Sequence, residues 1–322
     1  MRAIFFKTAI VCLTVIAIVF SACKKEISPD VTGIPSLTGD NSGNKPGKKN
    51  AGRILFVSNR DGNDEIYSME SDGSDVTRLT FNNVPDGRAS WSANGNHIAF
   101  ASGPVGSRDI YVLNANGEGL RNVTNTPNAD EDWPEWSPRG NHLIFSSNRD
   151  GNHEIYVSDI DGEEVTRLTE RTQDDRWPTW SPDGSLIAFQ SNLGGTALTD
   201  VFVMNADGSN VVRLTTANAF DQMPTWSPDG TRIAFMSTRN GNPDVFVMNA
   251  DGTNQVGITS FAGIDARPSW SREIDKIVFT TSRDFPLPST NPKFEIYIMN
   301  PDGSSPARLT NNNIYDDYPF IK

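Results

Sequence analysis

The 322-residue chain has two cysteines, and both fall within its first 23 positions. The remainder therefore has no disulfide framework. It has three histidines, His97, His142 and His153, which do not cluster by register, so a histidine-rich metal centre is not expected. Neither Gly-x-Ser-x-Gly nor Gly-x-x-x-x-Gly-Lys occurs, which removes the nucleophile-elbow and phosphate-loop signatures. Long apolar runs are scarce too. The one at residues 8–20 is shorter than the ~20 residues a membrane-crossing helix needs. Positive charge is in deficit: the net charge is −12, and residues 54–322 carry 20 basic against 37 acidic side chains. So acidic a domain repels nucleic acid and anionic lipid, and neither is expected as a partner.

What is present begins with a leader. Arg2 and Lys7 come before the apolar run and small residues follow it, the order of a secretory signal over residues 1–22. Phe20-Ser21-Ala22-Cys23 resembles a bacterial lipobox, which would make Cys23 the lipidated first residue of the mature chain. Ordinary cleavage beside an incidental cysteine is the alternative. No Asp follows Cys23, so the familiar inner-membrane retention signal is missing, and the expected location is the outer membrane, facing the periplasm or the cell exterior. Residues 23–52 are rich in Gly, Ser, Pro, Asn and Lys and read as a flexible tether. The folded domain is expected at 53–322, meeting the membrane only through its lipid.

That domain repeats itself. WPTWSPDGSLIAFQS at 177–191 returns as MPTWSPDGTRIAFMS at 223–237. Trp91, Trp136, Trp180, Trp226 and Trp270 each precede Ser, at spacings of 45, 44, 46 and 44. Asp-Gly or Asn-Gly pairs ending at Gly73, Gly117, Gly162, Gly208, Gly252 and Gly303 keep the same beat, as do six RLT-like triplets. Each unit decodes as four short strands: PTWS, a Ser-Pro-Asp-Gly turn, IAF, a loop, an alternating strand such as DVFVMN, a hairpin, and RLT. A lone four-stranded sheet cannot bury two apolar faces, whereas radial stacking covers both. The fold class is therefore all-β, a six-bladed β-propeller of four-stranded blades. The first unit starts at its second strand, and Tyr318-Pro319-Phe320 stands where a further Pro-x-Trp would begin. The C-terminal strand is thus expected to complete blade one and close a monomeric ring.

Asp-x-x-Pro-x-Trp-Ser-Pro-Asp-Gly at 175–184 and 221–230, with Ile-Ala-Phe and Asn-Ala-Asp-Gly behind it, resembles the propeller repeats of the TolB family over about 54–322. TolB proteins carry an α/β domain ahead of the propeller, and here a tether occupies that position. The resemblance implies a non-enzymatic binding or scaffolding module of the cell envelope that recognises a protein or peptide. A carbohydrate-binding or carbohydrate-cleaving envelope protein is the alternative, because pairs of acids at a channel mouth suit glycoside chemistry.

The candidate site follows from the same periodicity. An acid lies three residues before each Pro or its equivalent: Asp86, Glu131, Asp175, Asp221, Asp265 and Asp316. Placed in blade-connecting loops, the six would ring one mouth of the channel and could take a basic partner segment or a divalent cation; no other cofactor is expected. The structural alternative is that each acid satisfies loop amides or pairs with an arginine of the neighbouring blade, with Arg60, Arg149, Arg239 and Arg283 as candidates. A second recurring acid, Glu65, Asp109, Glu154, Asp200, Asp244 or Glu295, opens the third strand of each unit and reads as loop chemistry. Symmetry breaks most at the enlarged loop of blade six, where Arg283, Asp284, Phe285, Leu287 and Lys293 are candidate recognition residues.

Overall fold

The computed structural model describes residues 52–193, 197–285, 293–312 and 314–322. Cys23, the leader, the tether up to residue 51 and Leu287 lie outside the described residues.

Among the described residues, twenty-four strands form six antiparallel sheets of four. Blade two shows the plan: Asp86–Trp91 lies innermost, followed outward by His97–Ser102, Asp109–Asn114 and Arg121–Asn122. In blade one the innermost strand is Asp316–Ile321, hydrogen-bonded to Ile54–Ser58, so the last strand of the chain completes the first sheet as the repeat count requires. The innermost strands of blades three to six are Glu131–Trp136, Asp175–Trp180, Asp221–Trp226 and Asp265–Trp270.

The core is divided among the six blade interfaces. Each holds one apolar cluster drawn from two neighbouring sheets, such as Leu55, Val57 and Ile66 of blade one with Trp91, Ile98 and Phe100 of blade two. The Trp of each Trp-Ser pair is 2–6% exposed and sits in such a cluster; Ile321 takes its place between blades six and one. The middle strand of IAF type is apolar on both faces because both are covered. Its Phe, at 56, 100, 145, 189, 235 or 279, is fully buried and meets an aromatic ring of the third strand at 5.6–6.0 Å.

Two recurring motifs acquire their reasons here. The second acid of each repeat clamps the outer strand: Glu65 accepts from Arg78 at 3.0 Å and from the Thr80 hydroxyl at 2.5 Å, and Glu154 does the same with Arg167 and Thr169. The Arg and Thr of RLT thus lock a strand only two or three residues long. The hairpin glycines have φ between 75° and 87° and pack against the preceding blade. A Cβ on Gly162 would stand 1.9 Å from the Val123 carbonyl oxygen, so only glycine fits.

Candidate functional site

Each innermost strand runs from an acid at one mouth of the channel to a Trp-Ser or its counterpart at the other, and each carries a bulge in between. In blade two, Asp86 and Gly87 pair with Ser102 and Ala101, but Ser90 pairs with Ala99, so Arg88 and Ala89 together oppose Phe100. The same shift recurs in the other five blades. The first bulged residue has positive φ every time: Arg88, Trp133, Trp177, Met223, Arg267 and Tyr318 lie at 51–57°. None is glycine, although this region costs an L-residue roughly 1–2 kcal/mol. The bulge turns these six side chains into the channel, where they line a cavity of about 90 Å³.

Around the ring these side chains stack on one another. Trp133 and Trp177, on adjacent blades, lie face to face with centroids 4.1 Å apart. The Arg88 guanidinium sits 5.3 Å from the Trp133 ring and 4.8 Å from Tyr318, and Arg267, the other neighbour of Tyr318 in the belt, sits 4.4 Å from the same Tyr318 ring. The belt therefore runs Arg267, Tyr318, Arg88, Trp133, Trp177, with Met223 completing the circle. Buried carboxylates anchor its cations. Arg88 approaches Asp132 at 2.9 Å, Arg108 holds the other oxygen of Asp132 at 2.7 Å, and Arg267 meets Asp317 at 3.2 Å. Burial pushes the Asp132 carboxyl up to about 6 against the pull of Arg88 and Arg108.

At the opposite mouth the channel is spanned. Glu135 of blade three bonds Arg272 of blade six at 2.5 Å. Those blades face each other across the ring, so this ion pair bridges its diameter. Glu135 is 8% exposed, and burial raises its carboxyl while Arg272 draws it down. Both residues replace what the repeat puts elsewhere: Ser90, Thr179, Thr225 and Ser269 occupy the position of Glu135 in four other blades, and Arg272 stands where Pro138, Pro182 and Pro228 begin their turns.

The acids expected at the mouth are placed differently from the sequence reading. Asp86, Glu131, Asp175, Asp221, Asp265 and Asp316 are the first residues of the innermost strands rather than loop residues, and all are 0–2% exposed. Four are held by the repeat arginines: Arg60 on Asp316, Arg149 on Glu131, Arg239 on Asp221 and Arg283 on Asp265. The partner arginine belongs to the same blade, not its neighbour, because it follows the second strand, which pairs directly with the innermost one. Each also covers the third-strand ring of its blade at 4.7–4.8 Å. Among the described residues no three acidic, His or Cys side chains converge to hold a metal ion.

In the blade-six loop, Arg283 is committed to Asp265 and to Tyr297 beneath it. Asp284 accepts from the Tyr297 hydroxyl at 2.8 Å, and the Phe285 amide closes a turn on the Ser282 carbonyl. Lys293 is half-buried next to the third strand, and Leu287 lies outside the described residues. The belt residues, by contrast, belong to none of the motifs that the repeat marks. Their signal was the third position of Asp-x-x-Pro, which reads Arg, Trp, Trp, Met, Arg, Tyr and is large every time, whereas the position before it runs Gly, Asp, Arg, Gln, Ala, Asp without regard to size.

Six short sheets closed by the C-terminal strand, around a channel with an asymmetric lining, define a six-bladed β-propeller. More specifically, the chain belongs to the family described as the TolB beta propeller domain, whose profile matches residues 128–222 and 218–321. Over 60 residues, 19% of this chain, it is 38% identical to the Tol-Pal system protein TolB of Desulfosudis oleivorans, a match that takes in 14% of that protein's length. The fold is shared with TolB from Acinetobacter baumannii at a TM-score of 0.69 and 22% identity, over 84% of this chain and 66% of that one. It is shared equally with Kuenenia stuttgartiensis hydrazine synthase, at 0.66 and 16% over 84% and 46%. Those two likenesses show architecture alone.

Proposed function

We propose that this protein is a non-enzymatic binding propeller of the bacterial envelope, exported and anchored through Cys23, that takes a segment of a partner protein at the channel mouth on its blade-connecting face. The observation that carries this reading is the belt. Repeat positions that serve only the fold keep nearly the same residue around the ring, as the braced acids do. The belt position is consistently large yet differs from blade to blade, which is what recognition of an asymmetric ligand requires. Exposed apolar side chains on the same face add a dry rim: Phe81 is 69% exposed and Val105 80%, with Phe220 and Phe261 near 40%. Membership of the TolB propeller family agrees with a protein partner. A sugar platform is disfavoured, because the facing sides of Trp133 and Trp177 are used on each other.

The test is affinity capture from envelope extract by the protein and by a Trp177→Ala, Met223→Ala variant, with melting curves to confirm that both fold. A partner retained by the first and lost from the folded second supports the reading. Equal capture by both removes the channel from it.

A further inference from the structure

The channel wall differs in charge from the domain around it. Among the described residues lining the cavity, Arg88 and Arg267 are basic and Glu135 alone is acidic, and Glu135 already has Arg272. The carboxylates that anchor the two belt arginines, Asp132 and Asp317, are 0–1% exposed and sit behind them in the wall. Each ion pair is thus a dipole with its positive end toward the axis. Arg88 contacts Asp132 through Nε at 2.9 Å, its guanidinium lies over the Trp133 and Tyr318 rings, and the Asp64 carboxyl is also within its electrostatic reach. Neighbours stacked face to face around a ring have radial planes, so their edges point inward, and aromatic edges are the positive part of the ring quadrupole.

The Glu135–Arg272 bridge spans the far end, so the cavity is a well approached from the blade-connecting face. With that bridge across the axis a chain cannot thread through, whereas a small group on a narrow stem can enter between the belt side chains. From these features, and resting on the reading of the channel as the partner site, we propose that the well binds a carboxylate carried on such a stem. The carboxylate meets the guanidinium groups of Arg88 and Arg267, which flank Tyr318. The −17 balance of residues 54–322 does not oppose this over the dimensions of the well, because exposed charge is screened beyond ~8 Å at physiological salt.

Three peptides test it on the purified protein: acetyl-trialanine with a free C-terminus, the same peptide amidated, and an amidated analogue with one alanine replaced by glutamate. Binding is read by calorimetry and by tryptophan emission, since Trp133 and Trp177 are half-buried in the well and the other five tryptophans are at most 6% exposed. A carboxylate-bearing peptide should bind at least about tenfold more tightly than the neutral amide, the equivalent of one charge-assisted hydrogen bond. Preference between the first and third probes then tells whether a chain end or an acidic side chain is the source. Arg88→Gln with Arg267→Gln should abolish that preference, and Arg88→Lys should retain part of it.

Equal binding of all three peptides overturns the proposal, and so does binding that survives the double Gln variant. No binding by any of them, while envelope capture still depends on Trp177 and Met223, overturns the carboxylate assignment and leaves the channel as the partner site.

Discussion

At Asp86 and Asp175 the repeat leaves out a partner it supplies to the other four acids. The position of Arg60, Arg149, Arg239 and Arg283 is taken by Pro104 in blade two and Leu193 in blade four. Asp86 has the Asn82 amide at 2.6 Å with the Ser102 and Thr80 hydroxyls nearby, and Asp175 has Arg171 at 3.8 Å with the Ser191 and Thr169 hydroxyls nearby. Burial, with the nearby Glu65 charge adding to it, pushes the Asp86 carboxyl up to about 7; burial takes Asp175 to about 6. A carboxyl whose folded pKa exceeds its unfolded 3.8 binds protons more tightly when folded, so its contribution to stability is complete below 3.8 and is lost as pH rises through the folded value. Asp86→Asn should therefore raise the melting temperature at pH 8, and the gain should shrink as pH falls from about 7 toward 4. A variant less stable than the parent at pH 8 would show that the carboxylate is held as an anion. The sequence exposed the acids and the arginine register, but not their pairing, because only strand adjacency tells which blade an arginine reaches.

The blade is the element in which most of the repeat finds its reason. Turn glycines, the clamp of acid on RLT and the aromatic pair were all written in the periodicity. The hairpin glycines also contact the preceding blade, which a single unit does not reveal. Gly162→Ala adds a Cβ at φ 75° beside a backbone carbonyl that cannot swing away, and should cost about 2–3 kcal/mol by denaturant titration. Gly140→Ala shares the positive φ of 73° with open space around it and should cost about 1 kcal/mol, the backbone share alone. Equal losses would mean that the blade contact adds nothing. The bulge, by contrast, was hidden. Period-2 alternation assigns each strand residue to one face or the other, and a two-against-one insertion changes that assignment without changing composition.

Closure of the ring brings together residues that no local rule connects. Removing residues 318–322 takes away most of the innermost strand of blade one, including Ile321 at 1% exposure between blades six and one. The loss should exceed the ~3 kcal/mol of a single large core truncation, and an unchanged melting temperature would refute the closure. The bridge across the channel makes a second test at this scale. Arg272→Ala leaves Glu135 buried beside no cation and should cost about 1–3 kcal/mol. Adding Glu135→Thr, the residue of blades four and five, should recover most of that loss, whereas additive losses would show that the two residues act separately.

The sequence by itself determined the number of blades, the order of their strands and the way the chain closes on itself, because these follow from a period and from the need to cover both faces of every sheet. Tertiary structure decided which side chains meet in the channel. Trp133 meets Trp177, Arg88 meets Tyr318 and Glu135 meets Arg272 only after six copies are bent into a ring. A repeat fixes what each unit shares, whereas recognition rests on the residues in which the units differ, and their neighbours exist only once the ring has closed.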